Sequence, residues 1–149
     1  MAVVNQKPIF TKQGDVTSNA GIVVTANMGP VLLTATGDYT GVSGNHKLVF
    51  TADTTNGGFV QRLRFKALGT NTASVARIYI NNGGDPTIAR NNAFYGEQSL
   101  PGVTAINTSA TIDVDYPLNI ALNPGFRIYV GLGTTVAAGW GCMPVAGLY

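Results

Sequence analysis

Charge is what this chain has least of. Asp, Glu, Lys and Arg make up 11% of its 149 residues, against about 25% in an ordinary globular domain. Nine basic residues face seven acidic ones, and the formal net charge is +2. So small a balance offers no electrostatic footprint for nucleic acid. There is one cysteine, Cys142, which excludes an intramolecular disulfide and a cysteine-built zinc cage. Flanked by Gly141 and Met143, it reads as a small buried hydrophobe. There is also one histidine, His46. No Gly-x-Ser-x-Gly motif accompanies it, so it lacks the partners of a nucleophilic triad, and histidine-built zinc sites usually need two or more. No apolar run approaches the roughly 20 residues of a membrane span. Residues 1–8 lack the basic start and apolar stretch of a secretion signal. The expectation is a protein made in the cytoplasm and used there or carried out on a particle, with no membrane partner.

What is present is glycine, threonine and asparagine, together 49 of the 149 residues. They punctuate runs of alternating apolar and polar residues, the period of a half-buried strand. Residues 46–53, 58–68, 74–81, 111–120 and 126–132 read as strands, as do 22–26, 31–35 and 94–100, with 135–147 as a last strand or strand pair. His46, Leu48, Phe50 and Ala52 are expected on one face. Phe59, Leu63, Phe65 and Ala67 are expected to point inward from the next strand, with Val60, Arg62, Arg64 and Lys66 outward. Ser74, Ala76, Ile78 and Ile80 follow inward, with Arg77 and Tyr79 opposite. Asn56-Gly57 and Asn82-Gly83 are strong turn signals. Asp85 and Pro86 could cap and open one helical turn over 86–93. Pro117 confines its strand to a sheet edge or breaks it. The long connection 81–110 suits Greek-key wiring better than a meander. These features predict an all-β chain: an antiparallel β-sandwich of jelly-roll or Greek-key type, with about 8–10 strands. Residues 1–30 are read as an N-terminal arm and first strand, and 31–149 as one compact domain.

The candidate chemistry is thin. Asp113 and Asp115 sit two apart on one strand face, a spacing compatible with a carboxylate pair or a calcium ligand set, but solvent-facing alternation produces such pairs routinely. No catalytic residue, metal or cofactor is expected. Arg62, Arg64, Lys66 and Arg77 would form a basic patch if their two strands paired as a hairpin. That patch could meet acidic side chains of a partner or phosphate, and the plain alternative is arginine stems lying on the sheet with their heads in water. Tyr39, Phe94, Tyr95, Tyr129, Trp140 and Tyr149 could line a carbohydrate groove or fill the core.

Leu48-Val49-Phe50-Thr51-Ala52, Gly58 to Asn71, Ala76-Arg77-Ile78-Tyr79-Ile80-Asn81-Asn82-Gly83, Pro117 to Phe126, Gly131-Leu132-Gly133-Thr134 and Val136-Ala137-Ala138-Gly139-Trp140 make a recognisable series of strands and turns. Over residues 45–147 the chain resembles a group of short virion-associated proteins of tailed bacteriophages. The resemblance implies a jelly-roll accessory protein of the decoration or cement kind, on the capsid surface of the virion, made in the host cytoplasm. Its implied partners are the major capsid protein and its own copies, as a homotrimer or dimer. The resemblance brings no active site with it. The partner-binding residues expected on this reading are Phe10, Ile22 and Val24 of the arm, which could add a strand to a neighbour, with Arg62, Arg64, Lys66 and Arg77. The alternative is a receptor- or carbohydrate-binding module on a tail or head fibre.

Overall fold

The structure is a computed structural model that describes residues 12–13, 31–34, 37–42 and 46–149. Phe10, Ile22, Val24 and the strand expected at 22–26 lie outside the described residues. The strands are β1 (Lys12–Gln13), β2 (Val31–Leu33), β3 (Lys47–Thr51), β4 (Gly58–Ala67), β5 (Ser74–Asn81), β6 (Asn92–Leu100), β7 (Asp113–Leu122), β8 (Arg127–Leu132) and β9 (Trp140–Leu148). They form two antiparallel sheets. The first runs β1-β9-β4-β7, with β2 also on β9, and the second runs β3-β8-β5-β6. Lys12 lies opposite Leu148 and Val31 opposite Cys142, so β1 and β2 sit end to end along the same side of β9. The chain is a β-sandwich. No helix among the described residues is long and apolar enough to cross a membrane.

Alternation decides which side chains fill the space between the sheets. Leu63, Phe65 and Ala67 of β4, Ala76 and Ile78 of β5, Ile128, Val130 and Leu132 of β8, and Trp140 and Cys142 of β9 are all buried in one cluster. Each fully buried large side chain contributes roughly 1.5–3 kcal/mol relative to leaving it in water. Burial pushes the Cys142 thiol well above its usual range, so it stays protonated and inert.

Three bulges break the simple period among the described strands, one of them on β6, where Ile78 faces Gly96 and Tyr79 faces Phe94, so Tyr95 is extra. On β4, Val60 faces Ala146 and Arg62 faces Val145, so Gln61 is extra. On the other side Val60 faces Ile120 and Arg62 faces Pro117. Strand β7 therefore uses Leu118 and Asn119 across from Gln61, with Asn119 in the left-handed region at φ 51°. The extra residue inverts the phase. Val60 is fully buried and Phe59 only half-buried, the reverse of the expected facing. On β3 the register shifts between Leu48 and Phe50, and Val49 joins Phe50 and Ala52 in the core. His46 is not on their face.

Other expectations are corrected locally. β4 and β5 do not pair with each other; they lie in different sheets. A single turn of 3-10 helix occupies Ala89–Asn91 without a side-chain cap. Asp85 instead accepts from the Thr87 amide at 2.9 Å, a local turn bond. Pro117 does sit on an edge strand, where a missing N–H does least harm.

One buried polar side chain ties the loops at one end of the sandwich. Asn71 is 4% exposed. Its Nδ2 donates to Gly139 O at 2.8 Å and Gly69 O at 3.3 Å. Its Oδ1 accepts from the Ala138 and Gly139 amides, both at 2.9 Å. Its backbone also pairs with Val103 in both directions.

Candidate interaction surfaces

The solvent face of the first sheet carries the three basic residues of β4. Period-two geometry places Arg62, Arg64 and Lys66 in one row. Pairing with β7 sets Arg64 opposite Asp115 and Lys66 opposite Asp113. Two ion pairs run diagonally, Arg62 Nε to Asp115 at 3.5 Å and Arg64 to Asp113, and Lys66 Nζ meets Asp113 directly across at 2.8 Å. Lys66 donates further to Thr111 O at 2.7 Å. The Lys66 ammonium, then the Arg64 guanidinium, hold the Asp113 carboxyl below its ordinary range. Three cations and two carboxylates leave one net positive charge. The bare basic patch expected from β4 is thus a ladder whose charges largely answer one another. It fastens the edge strand β7 only lightly, since ion pairs this open to water add little. Asp113 and Asp115 are engaged with cations rather than set out as a calcium or glycosidase pair.

Arg77 is elsewhere, on the outer face of the second sheet, and belongs to a different cluster. Residues 37–42 cross that face. Gly37 N donates to Leu132 O at 2.7 Å. Arg77 Nη1 donates to Gly37 O at 2.6 Å, the Tyr79 hydroxyl to Asp38 O, and Asn92 Nδ2 to Gly41 O at 3.4 Å. Asp38 Oδ1 closes the crossing segment on itself, accepting from Thr40 Oγ1 at 2.8 Å, Thr40 N at 3.0 Å and Gly41 N at 3.1 Å. The Thr40 hydroxyl is the main reason its carboxyl lies below the usual range. Tyr79 points outward as expected from its parity, yet the crossing segment buries it completely, and that burial pushes its hydroxyl up to about 12.

Around this strap the aromatics gather. The Arg77 guanidinium stacks 3.9 Å above the Tyr39 ring and bonds Glu97 at 3.0 Å. Tyr39 meets Phe94 edge-on at 5.4 Å. The His46 ring packs against Tyr79 at 4.4 Å and lies on Gly131 and Gly37. A β-carbon at Gly131 would sit 2.5 Å from that ring, and one at Gly37 2.3 Å. Those two glycines are needed because the imidazole occupies their side-chain space. Tyr39 remains 58% exposed, Phe94 43% and Tyr95 42%. Most polar groups of the corner are engaged with one another. What it offers a partner is aromatic surface on a frame already held in place, so little ordering remains to be done on binding.

Of the aromatic groove expected from sequence, the structure brings together Tyr39 and Phe94, with Tyr95 adjacent in β6. Trp140 is excluded, being wholly inside the core. Tyr129 pairs with Tyr79 in the neighbouring strand. Sequence reasoning missed the union of Arg77, Glu97 and His46 with these rings. No local pattern in residues 37–42 says which sheet such a segment crosses. Among the described residues no group of three or more His, Cys, Asp or Glu gathers as a metal site would.

No protein-family model, no curated protein and no solved structure matches this chain.

Proposed function

We propose that the chain works by contact rather than by chemistry, as a virion structural protein that decorates a bacteriophage capsid and stabilises it by bridging neighbouring capsid subunits. The observation that carries this reading is the strand order. Two antiparallel sheets with neighbours distant in sequence, β2-β9-β4-β7 and β3-β8-β5-β6, support a jelly-roll reading, an architecture recurrent among capsid and lectin domains. The resemblance of residues 45–147 to short virion-associated proteins points the same way. A lattice presents many identical docking sites, so an oligomer of such modules gains avidity without strong single contacts. The major capsid protein is the partner on this reading, and copies of the chain assemble as a homotrimer or dimer. Phe10, Ile22 and Val24 remain candidates for arm docking, and Arg62, Arg64, Lys66 and Arg77 for partner contacts, with Arg77 acting through the ring it supports.

The test is co-sedimentation of the purified chain with phage shells that lack a decoration protein, followed by mechanical or thermal challenge of the loaded shells. Saturable binding with raised shell stability is the expected result. Shells that neither bind the chain nor gain stability refute the reading.

A second reading is favoured by the Tyr39–Phe94 corner: recognition of a glycan on a host surface. Two exposed rings at an angle, beside a carboxylate and a guanidinium, are a usable platform for a sugar face and its hydroxyls. Titration against a glycan panel separates the readings. Binding lost in Tyr39→Ala with unchanged folding supports the glycan, and a silent panel removes it.

A further inference from the structure

We propose that Asn56 is a deamidation site of the folded protein, and that the same dipeptide at Asn82-Gly83 is protected by the fold. In this reaction the Gly57 backbone nitrogen attacks Asn56 Cγ. The new N–C bond closes a five-membered imide, the Cγ–Nδ2 bond breaks, and ammonia leaves carrying the proton from the Gly57 amide. Water then opens the imide at either carbonyl, leaving aspartate or isoaspartate. Glycine in the following position makes ring closure easiest, because no side chain obstructs it.

The fold holds glycine at both places. Gly57 has φ +83°, and a β-carbon there would lie 2.3 Å from Leu122 O; Gly83 has φ +89°, with Gly125 O at 2.9 Å. The two asparagines differ in what holds the carboxamide. Asn82 Oδ1 accepts from Gly84 N at 3.0 Å and its Nδ2 donates to Asn91 Oδ1 at 3.3 Å. The nucleophile beside it, Gly83 N, is engaged by Asn81 Oδ1 at 2.8 Å. Carbonyl, leaving group and attacking nitrogen are all tied. Asn56 is exposed, and its carboxamide makes no hydrogen bond among the described residues. Only its own amide is held, by Asp53 Oδ1 at 2.8 Å. Gly57 N donates to Asp53 O at 3.1 Å, so one hydrogen bond must open here where three must open at Asn82.

The position matters because the turn is a junction. Asp53 O also accepts from Gly125 N at 3.0 Å, and Gly57 O accepts from Asp53 N at 3.1 Å and from Tyr149 N at 3.3 Å. Isoaspartate lengthens the main chain by one carbon inside this closed turn, and either product sets a second carboxylate beside Asp53. The β7–β8 turn and the end of β9 lose part of their anchorage as the protein ages.

The experiment is peptide mapping of folded protein held in mildly alkaline buffer, with guanidinium-unfolded chain as reference. Trypsin separates the two sites into residues 48–62 and residues 78–90, and fragmentation locates the one-dalton mass gain. In unfolded chain both sites convert at comparable rates. In folded protein Asn56 is expected to run about tenfold or more ahead of Asn82, the factor that two additional ordinary hydrogen bonds supply. Aged wild type loses melting temperature while equally aged Asn56→Ser keeps its starting value. The proposal is overturned if Asn82 keeps pace with Asn56 in the folded state. It is equally overturned if Asn56 stays intact while the unfolded chain converts, or if its conversion leaves the melting temperature unmoved.

Discussion

Replacing Asn71 by alanine removes one side chain and takes a partner from four backbone groups, of which only the Gly139 carbonyl keeps another among the described residues, the Leu68 amide at 3.1 Å. The amides of Ala138 and Gly139 lose their acceptor, and the carbonyls of Gly139 and Gly69 lose a donor. Leaving a buried donor or acceptor without a partner costs about 1–3 kcal/mol. The Gly139 amide is fully enclosed and left without an acceptor, whereas Ala138 and Gly69 are half-buried and partly regain water. Asn71→Ala is therefore expected to lose about 2–4 kcal/mol, which for a chain of this length lowers the melting temperature by roughly 10 °C. Asn71→Asp separates the two halves of the bond set. A carboxylate still accepts from both amides but faces two carbonyls where an amide had donated. Burial and the facing carbonyls raise the folded-state pKa of that acid, so the folded variant holds a proton the unfolded chain has released. Its deficit is smallest below the unfolded carboxylate value of about 3.9 and grows as pH rises through and beyond it. Thermal unfolding followed by circular dichroism, at acid and at neutral pH, reads both effects. A loss under about 1 kcal/mol for Asn71→Ala, or an Asn71→Asp deficit that does not deepen toward neutrality, refutes the reasoning.

Three further outcomes follow from single contacts. Asp113 is held below the usual carboxylate range by Lys66 and Arg64, so its share of stability is present above the unfolded value of about 3.9 and lost as pH falls through its own lower value. Acid titration of Asp113→Asn should show a shallower fall than wild type, and superimposable curves would show that the ladder does not fasten β7. Trp140 is wholly buried, yet its indole N–H has no hydrogen-bond partner among the described residues. Trp140→Phe gives up volume but also an unpaired donor, so chemical denaturation should place its loss well below that of Trp140→Ala, for which about 3–5 kcal/mol is expected; equal losses would contradict this. Gly131→Ala drives a methyl into the His46 ring, and His46→Ala should relieve it. The double variant should then recover about 0.5–3 kcal/mol relative to additivity, and strict additivity would mean that the ring does not rest there.

The strands were legible because their signal is local. The run from Leu63 to Ala67 alternates over enough residues to name its own faces, and Pro117 pointed to an edge or a break without reference to any partner. The bulges were not legible. Gln61 looks like one more polar residue in the alternation, and only the registers against Ala146 and Ile120 on either side reveal it as surplus. The same limit governed the surfaces. Arg62, Arg64 and Lys66 could be assigned a common face from parity alone. That Asp113 and Asp115 answer them depends on β7 lying beside β4, a pairing between strands some fifty residues apart in sequence.

Composition and periodicity by themselves determined an all-β chain, the parity of most strand residues, and a surface poor in charge, since each depends on neighbours within one strand. Tertiary structure decided which strands share a sheet. It also decided that Arg77 leaves the basic row to brace Tyr39, that the sole histidine rests on two glycines, and that a loop asparagine becomes a buried knot. The physical reason is that strand pairing and loop crossing are settled by backbone hydrogen bonds and packing between distant segments. The residues that make those contacts carry no local mark of the partner they will meet.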